Sequence, residues 1–494
     1  MPAPISSPDG EPPPLSPVTQ ASPDFLAWIS ALSHTVLFEL RRQRGIIATL
    51  TIMNLTWFAK STITTIFLGR LGDLQLAAGA LAFSFANVTG FSVLAGLCGA
   101  MEAICGQAHG AGNRELLRKT LLMSILLLLV SSVFISFIWL NVETILIHFG
   151  QQKEIASLAK KYVLWLLPDL LAISLLSPLK AYLNCQGFTL PSLISSAIAL
   201  AVHFPLNLLL SNAKGLEGVA MAVWLTDLAV AVMLGLYVCV TERNYKNGGE
   251  SEASWWKQSR AEWARLLRLA APCCLNMCLE WWCYEILVLL TGRLPDSNRM
   301  VAVITIVLNF DYLLFSAMLS FATAASVRVS NELGAGHGVA AQSAAFVSLG
   351  MGALGGLLSA GATAGARAWW GKGFSKDRSI GRDVRKTMLV MAVVEVVNFP
   401  LAVSGGIVRG TARPLLGTYA SAGGFYLVAL PLAVVFGFRL KLGLAGMLLG
   451  FLFGGATSLV LLLVLLACVD WDMEAEKAQK LAAGGLESVN GDGA

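Results

Sequence analysis

The chain reads as apolar runs of about 20 residues or more, separated by short polar segments. A helix rises 1.5 Å per residue, so runs of that length match a bilayer hydrocarbon core of about 30 Å. Twelve spans are predicted, over approximately 46–68, 75–105, 119–140, 155–181, 190–212, 215–240, 263–291, 299–325, 340–366, 384–409, 412–437 and 442–468. An even number of crossings puts both termini on one side. The predicted fold is an all-α integral membrane protein.

The punctuation between the spans occurs twice, about 223 residues apart. Gly69-Arg70-Leu71 returns as Gly292-Arg293-Leu294, and Gly110-Ala111-Gly112 as Gly334-Ala335-Gly336. Gln186-Gly187 with Pro191 returns as Arg409-Gly410 with Pro414, and Gly215-Leu216-Glu217-Gly218 as Gly443-Leu444-Ala445-Gly446. One six-span unit is therefore duplicated. Repeated halves facing each other across a central cavity are the build of secondary transporters, because rocking one against the other exposes a midplane site alternately. The expected organisation is a disordered Pro-rich tail over 1–40, a first bundle over 41–240, a linker over 241–262, a second bundle over 263–468 and a tail over 469–494 that starts as a short polar helix. Residues 1–24 alone hold eight of the seventeen prolines, and a segment so poor in apolar residues buries too little surface to fold.

Composition agrees: 56% of residues are hydrophobic, 13% are charged and the mean hydropathy is +0.69, outside the range of water-soluble domains. The tail lacks the basic start and apolar stretch of a cleavable signal. Lys/Arg bias at Arg41, Arg42 and Arg44, in the 2–3 loop (Arg114, Arg118, Lys119) and in the 6–7 linker (Arg243, Lys246, Lys257, Arg260, Arg265, Arg268) points to cytoplasmic termini, although segment 367–386 carries seven Lys/Arg on the other face. Trp255-Trp256 reads as an interface anchor. A net charge of +5, spread along membrane edges, gives no nucleic-acid surface. The nine cysteines fall mostly in or beside apolar spans, where they act as small hydrophobes. The five histidines form no metal spacing, and Cys274 with Cys278 lacks a third ligand. Small residues at four-residue intervals, such as Gly446, Gly450, Gly454 and Ser458, read as helix packing.

Ionisable residues inside the spans carry the functional information, because each costs about 2.5–3.5 kcal/mol at a helix centre unless it meets water or a partner. Span 7 holds Glu280 and Glu285 with Asn276, Trp281, Trp282 and Tyr284; span 8 holds Asn309, Asp311 and Tyr312; span 10 holds Glu395 and Asn398 ahead of Pro400. At 100° per residue Glu280 shares a face with Asn276 and Tyr284, whereas Glu285 lies about 140° away beside Trp281. Glu280 is assigned to the cavity and Glu285 to a second, interhelical place. Pro400 frees a backbone carbonyl, a device that lines cavities. Lys60 is the only mid-span base seen, so most of these acids are expected unpaired. The first half carries fewer acids, Glu102, Asp169 and Asp227. Carboxylates crowded in low dielectric disfavour each other's ionised forms, which makes a proton the expected coupling ion, taken up at Glu280, Glu285, Glu395 and Asp311. Asn276, Trp281, Tyr284, Asn309, Tyr312 and Asn398 are the candidate substrate contacts; the aromatics suit planar or cationic organic molecules by stacking and cation–π attraction.

Four stretches carry a family resemblance: Cys105-Gly106-Gln107-Ala108-His109-Gly110-Ala111-Gly112, Gln186-Gly187, Cys278-Leu279-Glu280-Trp281-Trp282-Cys283-Tyr284-Glu285, and Arg328-Val329-Ser330-Asn331-Glu332-Leu333-Gly334-Ala335-Gly336. Over about residues 40–470 the chain resembles the plant multidrug and toxic compound extrusion (MATE) transporters, also called DETOXIFICATION proteins. The resemblance implies two six-helix bundles with pseudo-twofold symmetry, a V-shaped cavity and proton-coupled antiport of organic solutes, with Glu280 and Glu285 at the family's span 7 acids. The chain departs from the pattern at His109, where relatives usually have Tyr, and at Asn398, where the family's span 10 acid stands; Glu395 lies one turn earlier. Thr64 occupies the place of a first-half Asp of bacterial relatives, and Asp311 is an acid outside the pattern.

The expected activity is thus secondary active efflux by a monomer in a plasma membrane or a vacuolar or Golgi-type endomembrane, with a small organic molecule, a proton and the lipid bilayer as partners and no cofactor. Organic cations, secondary metabolites and hormones all suit it. The alternative is a proton-independent flippase for lipid-linked substrates. An enzyme would need a converging His, Cys or Ser/His set, and none is visible.

Overall fold

The computed structural model describes residues 25–246, 258–374 and 377–482. Described residues are helical apart from short turns, and contain no strand. Twelve helices have membrane-crossing length and hydropathy: α1 (His34–Leu71), α2 (Asp73–Gly110), α3 (Arg114–Leu140), α4 (Lys153–Cys185), α5 (Leu190–Lys214), α6 (Leu216–Asn244), α7 (Arg260–Thr291), α8 (Ser297–Gly334), α9 (Gly338–Ala366), α10 (Arg378–Gly410), α11 (Pro414–Arg439) and α12 (Gly443–Ala467). A thirteenth, α13 (Trp471–Ala482), follows. Helices α1–α6 and α7–α12 form two six-helix lobes, each with its own apolar core, joined between α2 and α7 by a small cluster that includes Ala100, Ile104, Ala270 and Cys273.

The recurring punctuation becomes turn geometry. Gly112 and Gly336 have φ of +70° and +83°, and Gly215 and Gly443 both have φ of +59°, values that a Cβ strains. Pro191 and Pro414 start α5 and α11, where a missing N–H costs no hydrogen bond. Ser259 and Glu262 form a capping box that opens α7, satisfying two end donors reciprocally. Outside the lobes, large apolar side chains such as Phe134, Leu209, Leu289 and Leu427 are exposed, a surface that hydrocarbon solvates and water does not.

Three expectations need correction. Residues 25–40, assigned to the disordered tail, are helical and continue into α1; Glu39 is buried there in an ion pair with Arg328 of α8, a partner 289 residues away that local composition cannot announce. The tail helix is amphipathic and docked, with Trp471, Glu474, Ala475, Ala478 and Ala482 buried. Pro400 does free the carbonyl of Val396, but Gly356 of α9 packs against it, so it serves close helix approach. Residues 1–24, the Trp255-Trp256 anchor, Lys257, Lys376 and the chain after Ala482 lie outside the described residues.

The lobes meet most tightly at the end carrying both chain termini. There α2 and α8 cross at glycines: a Cβ on Gly110 would overlap the carbonyl oxygen of Asn331, one on Gly334 that of Gln107, and one on Gly106 the hydroxyl of Ser330. Gln107 and Gly110 of the first copy face Asn331 and Gly334 of the second, so the duplicated motif packs against its own repeat. Asn331 also donates Nδ2 to the carbonyl of Cys185 at 3.0 Å. Ion pairs between the lobes lie toward the same end: Glu39–Arg328 (2.9 Å), Arg42–Glu332 (3.2 Å), Lys119–Glu262 (3.3 Å) and Glu102–Arg409 (3.4 Å). The molecule is closed on its termini side.

Candidate functional site

Helices α7, α8 and α10 assemble a polar group inside the second lobe. Tyr284 of α7 rests its ring on Phe451 at 4.6 Å between centroids, and its hydroxyl accepts a hydrogen bond from Asn398 Nδ2 of α10 at 3.0 Å. One turn before Asn398, Glu395 is 2% exposed and its Oε1 has no hydrogen-bond partner among the described residues. It faces Asp311 of α8, itself 8% exposed, and both acids act electrostatically on Tyr284. Asp311, Glu395, Tyr284 and Asn398 therefore form one cluster, to which the helical periodicity of α7 adds Glu280 one turn from Tyr284.

Glu280 is half-buried and makes no hydrogen bond or ion pair with any described residue. The cation that acts on it is Arg409 of α10, whose Nε also lies 3.4 Å from Glu102 of α2. Arg409 thus stands between an acid of each lobe. It was missed as a site residue, although the repeat offered a signal: it falls where the first copy has uncharged Gln186.

The remaining predicted residues scatter. Glu285 is half-buried and faces Ser84 of α2 across the lobe interface, close to Tyr312, which is 47% exposed. Trp281 packs edge-on against Phe315 at 6.0 Å, and Trp282 donates Nε1 to the carbonyl of Val88 at 3.1 Å. Asn276 turns to α11, its Oδ1 buried beside Gly417 without a donor among the described residues. Asn309 spends its amide on Thr305 of its own helix, at 2.9 Å. These two amides face packing and backbone, where sequence alone placed them with the substrate.

The first lobe holds a separate polar cluster. Lys60 Nζ lies 2.6 Å from both carboxylate oxygens of Asp227. One turn on, Thr64 bonds His203 Nε2 at 3.1 Å, and His203 Nδ1 bonds Thr226 at 2.8 Å. Lys180 of α4 is a second, half-buried base within electrostatic reach of Asp227, and Asp169 a neighbouring acid. Asp227 is thus compensated by Lys60, whereas Asp169 keeps one buried carboxylate oxygen without a partner among the described residues. Among the described residues no three metal-ligating side chains are grouped.

Two six-helix lobes of repeated sequence, each enclosing buried acids, define a membrane transporter of the secondary type. The sequence model of the MatE family matches residues 50–209 and 272–435, one match per lobe. The chain belongs to this family of multidrug and toxic compound extrusion transporters, and is a transporter, not an enzyme. It is 53% identical over 451 residues to Protein DETOXIFICATION 56 of Arabidopsis thaliana, covering 91% of this chain and 92% of the relative. Protein DETOXIFICATION 48 of the same plant is 38% identical over 462 residues, covering 93% and 86%. Among solved structures, the eukaryotic MATE transporter AtDTX14 superposes with a TM-score of 0.85 at 29% identity, covering 91% of this chain and all of that one. A MOP superfamily transporter from Pyrococcus furiosus shares the fold at a TM-score of 0.79 and 16% identity, over 90% and 97%.

Proposed function

We propose that this chain is a proton-coupled antiporter that expels organic solutes from the cytoplasm across a plasma membrane or endomembrane, with the termini side cytoplasmic. Glu280 is the coupling acid in this reading; Asp311 and Glu395 hold further protons beside it, and Glu285 serves the lobe interface. Tyr284 and Asn398 bound the site that substrate and proton share, and Trp281 and Tyr312 offer aromatic faces. The observation that carries the reading is a half-buried carboxyl at Glu280, one helical turn from Tyr284, with no hydrogen bond or ion pair among the described residues to fix its charge. A carboxyl so placed is free to exchange a proton with whichever side the cavity opens to. One proton crossing 100 mV supplies about 2.3 kcal/mol, and one pH unit about 1.4 kcal/mol more, enough to sustain a useful substrate gradient.

The test is substrate flux in proteoliposomes with an imposed pH gradient, comparing wild type with Glu280→Gln at matched incorporation. Gradient-driven flux should fall at least tenfold in the variant. Flux that still follows the gradient in Glu280→Gln removes Glu280 from coupling, and wild-type flux that ignores the gradient favours a proton-independent flippase.

A further inference from the structure

Helix α13 is fastened to the second lobe along its length and to the first lobe at its end. Glu474 pairs with Arg413 in the α10–α11 turn. Gly336 in the α8–α9 turn and Gly338 at the start of α9 leave no room for a Cβ beneath Gln479 and Asp472. Side chains from opposite lobes donate to carbonyls at the end of the described part of α13. Arg265 of α7 donates to the carbonyl of Leu481 at 3.1 Å, and Asn113 of the α2–α3 turn donates Nδ2 to that of Ala482 at 2.6 Å. Arg265 also reaches Gln107 of α2, at 3.5 Å. Opening the molecule on this side must carry Asn113 away from α13.

We propose that α13 is a conformational latch: carried by the second lobe, it grips the first lobe through Asn113 and favours the state closed on the termini side. Asn113 has two tasks that one atom separates. Its Oδ1 caps α3 by accepting from the amide of Leu116 at 2.9 Å, while its Nδ2 reaches α13. Asn113→Asp keeps the capping acceptor, since Asp is an equally favoured N-cap residue. It replaces the donor with an anionic oxygen that faces the carbonyl oxygen of Ala482, an acceptor. The cap survives and the grip is lost.

Two native thiols report the outcome. Cys105 and Cys185 are 0% and 1% exposed at the closed seam, Cys105 beside Gly106 and Cys185 under the Asn331 amide, whereas Cys239 of α6 is exposed. The experiment follows N-ethylmaleimide alkylation of the full-length protein by peptide mass spectrometry, with Cys239 as internal standard and no ion gradient imposed. Losing one hydrogen bond should speed labelling of Cys105 and Cys185 about two- to tenfold in Asn113→Asp, with Cys239 unchanged. Arg413→Gln, which frees the other end of α13, should act in the same direction and decides the matter if the first variant does not fold. Wild-type labelling rates at both seam thiols in folded variants would overturn the latch. The readout involves no transport, so it stands apart from the coupling role of Glu280.

Discussion

At the scale of single residues, the contrast between paired and unpaired charges organises the molecule. Lys60 and Asp227 neutralise each other inside the first lobe, their side chains 11% and 14% exposed. Removing one partner of a buried pair strands the other, at a cost of about 3–5 kcal/mol, whereas removing both is far cheaper. Lys60→Met should therefore lower the thermal unfolding midpoint in detergent sharply, and Lys60→Met combined with Asp227→Asn should recover most of the loss; additive losses would mean the pair contributes nothing as a pair. Sequence allowed Lys60 to neutralise at most one acid, and which acid was not legible, because 167 residues separate the partners. At Asn398 an amide stands among acids with its Nδ2 committed to Tyr284, and Glu395 lies one turn earlier on the same helix. Likewise the turn position filled by Gly187 in the first copy is filled in the second by Ala412, at φ +57°, two residues after the glycine that the sequence repeat aligns there. Gly410 instead packs against Ser326 of α8, where a Cβ would approach its carbonyl to 2.7 Å.

At the scale of helices, glycine does two different jobs that sequence spacing does not distinguish. Gly218 lets α6 lie on α5, where a Cβ would overlap the carbonyl of Leu210 in the same lobe. Gly110 lets α2 lie on α8 of the other lobe. A methyl at the first site opposes folding of the lobe, and a methyl at the second opposes only closure between lobes. Gly218→Ala should reduce folded yield and unfolding temperature. Gly110→Ala should leave both near wild type but expose Cys105 and Cys185 to alkylation; if the two variants behave alike, the seam is not a moving contact. Helix existence was readable throughout, since twelve apolar runs near membrane length gave twelve spans. Helix ends were read less well. The apolar criterion stops where charge begins, yet α1 and α10 run on into charged turns that are held by tertiary ion pairs.

At the scale of the whole molecule, ion pairs between the lobes gather toward the termini side, and alternating access requires them to break together. Glu39→Gln removes the first-lobe partner of Arg328 but leaves it Glu332 on its own helix, 2.7 Å away, so no charge is stranded. The variant should shift the protein toward opening on the termini side, seen as faster seam-thiol labelling without loss of thermal stability. Unchanged labelling would place the resistance to opening in the glycine seam and the latch instead. The ion pairs between the lobes join residues 143 to 307 positions apart.

Composition and period sufficed for the membrane environment, the number of crossings, the duplication and the family, because each follows from local hydropathy and short motifs that repeat in order. Tertiary structure alone decided which acids stand together, which bases neutralise them, and where the two copies touch. Those outcomes depend on the rotation and crossing of packed helices, and a helix face names no neighbour until the bundle is assembled.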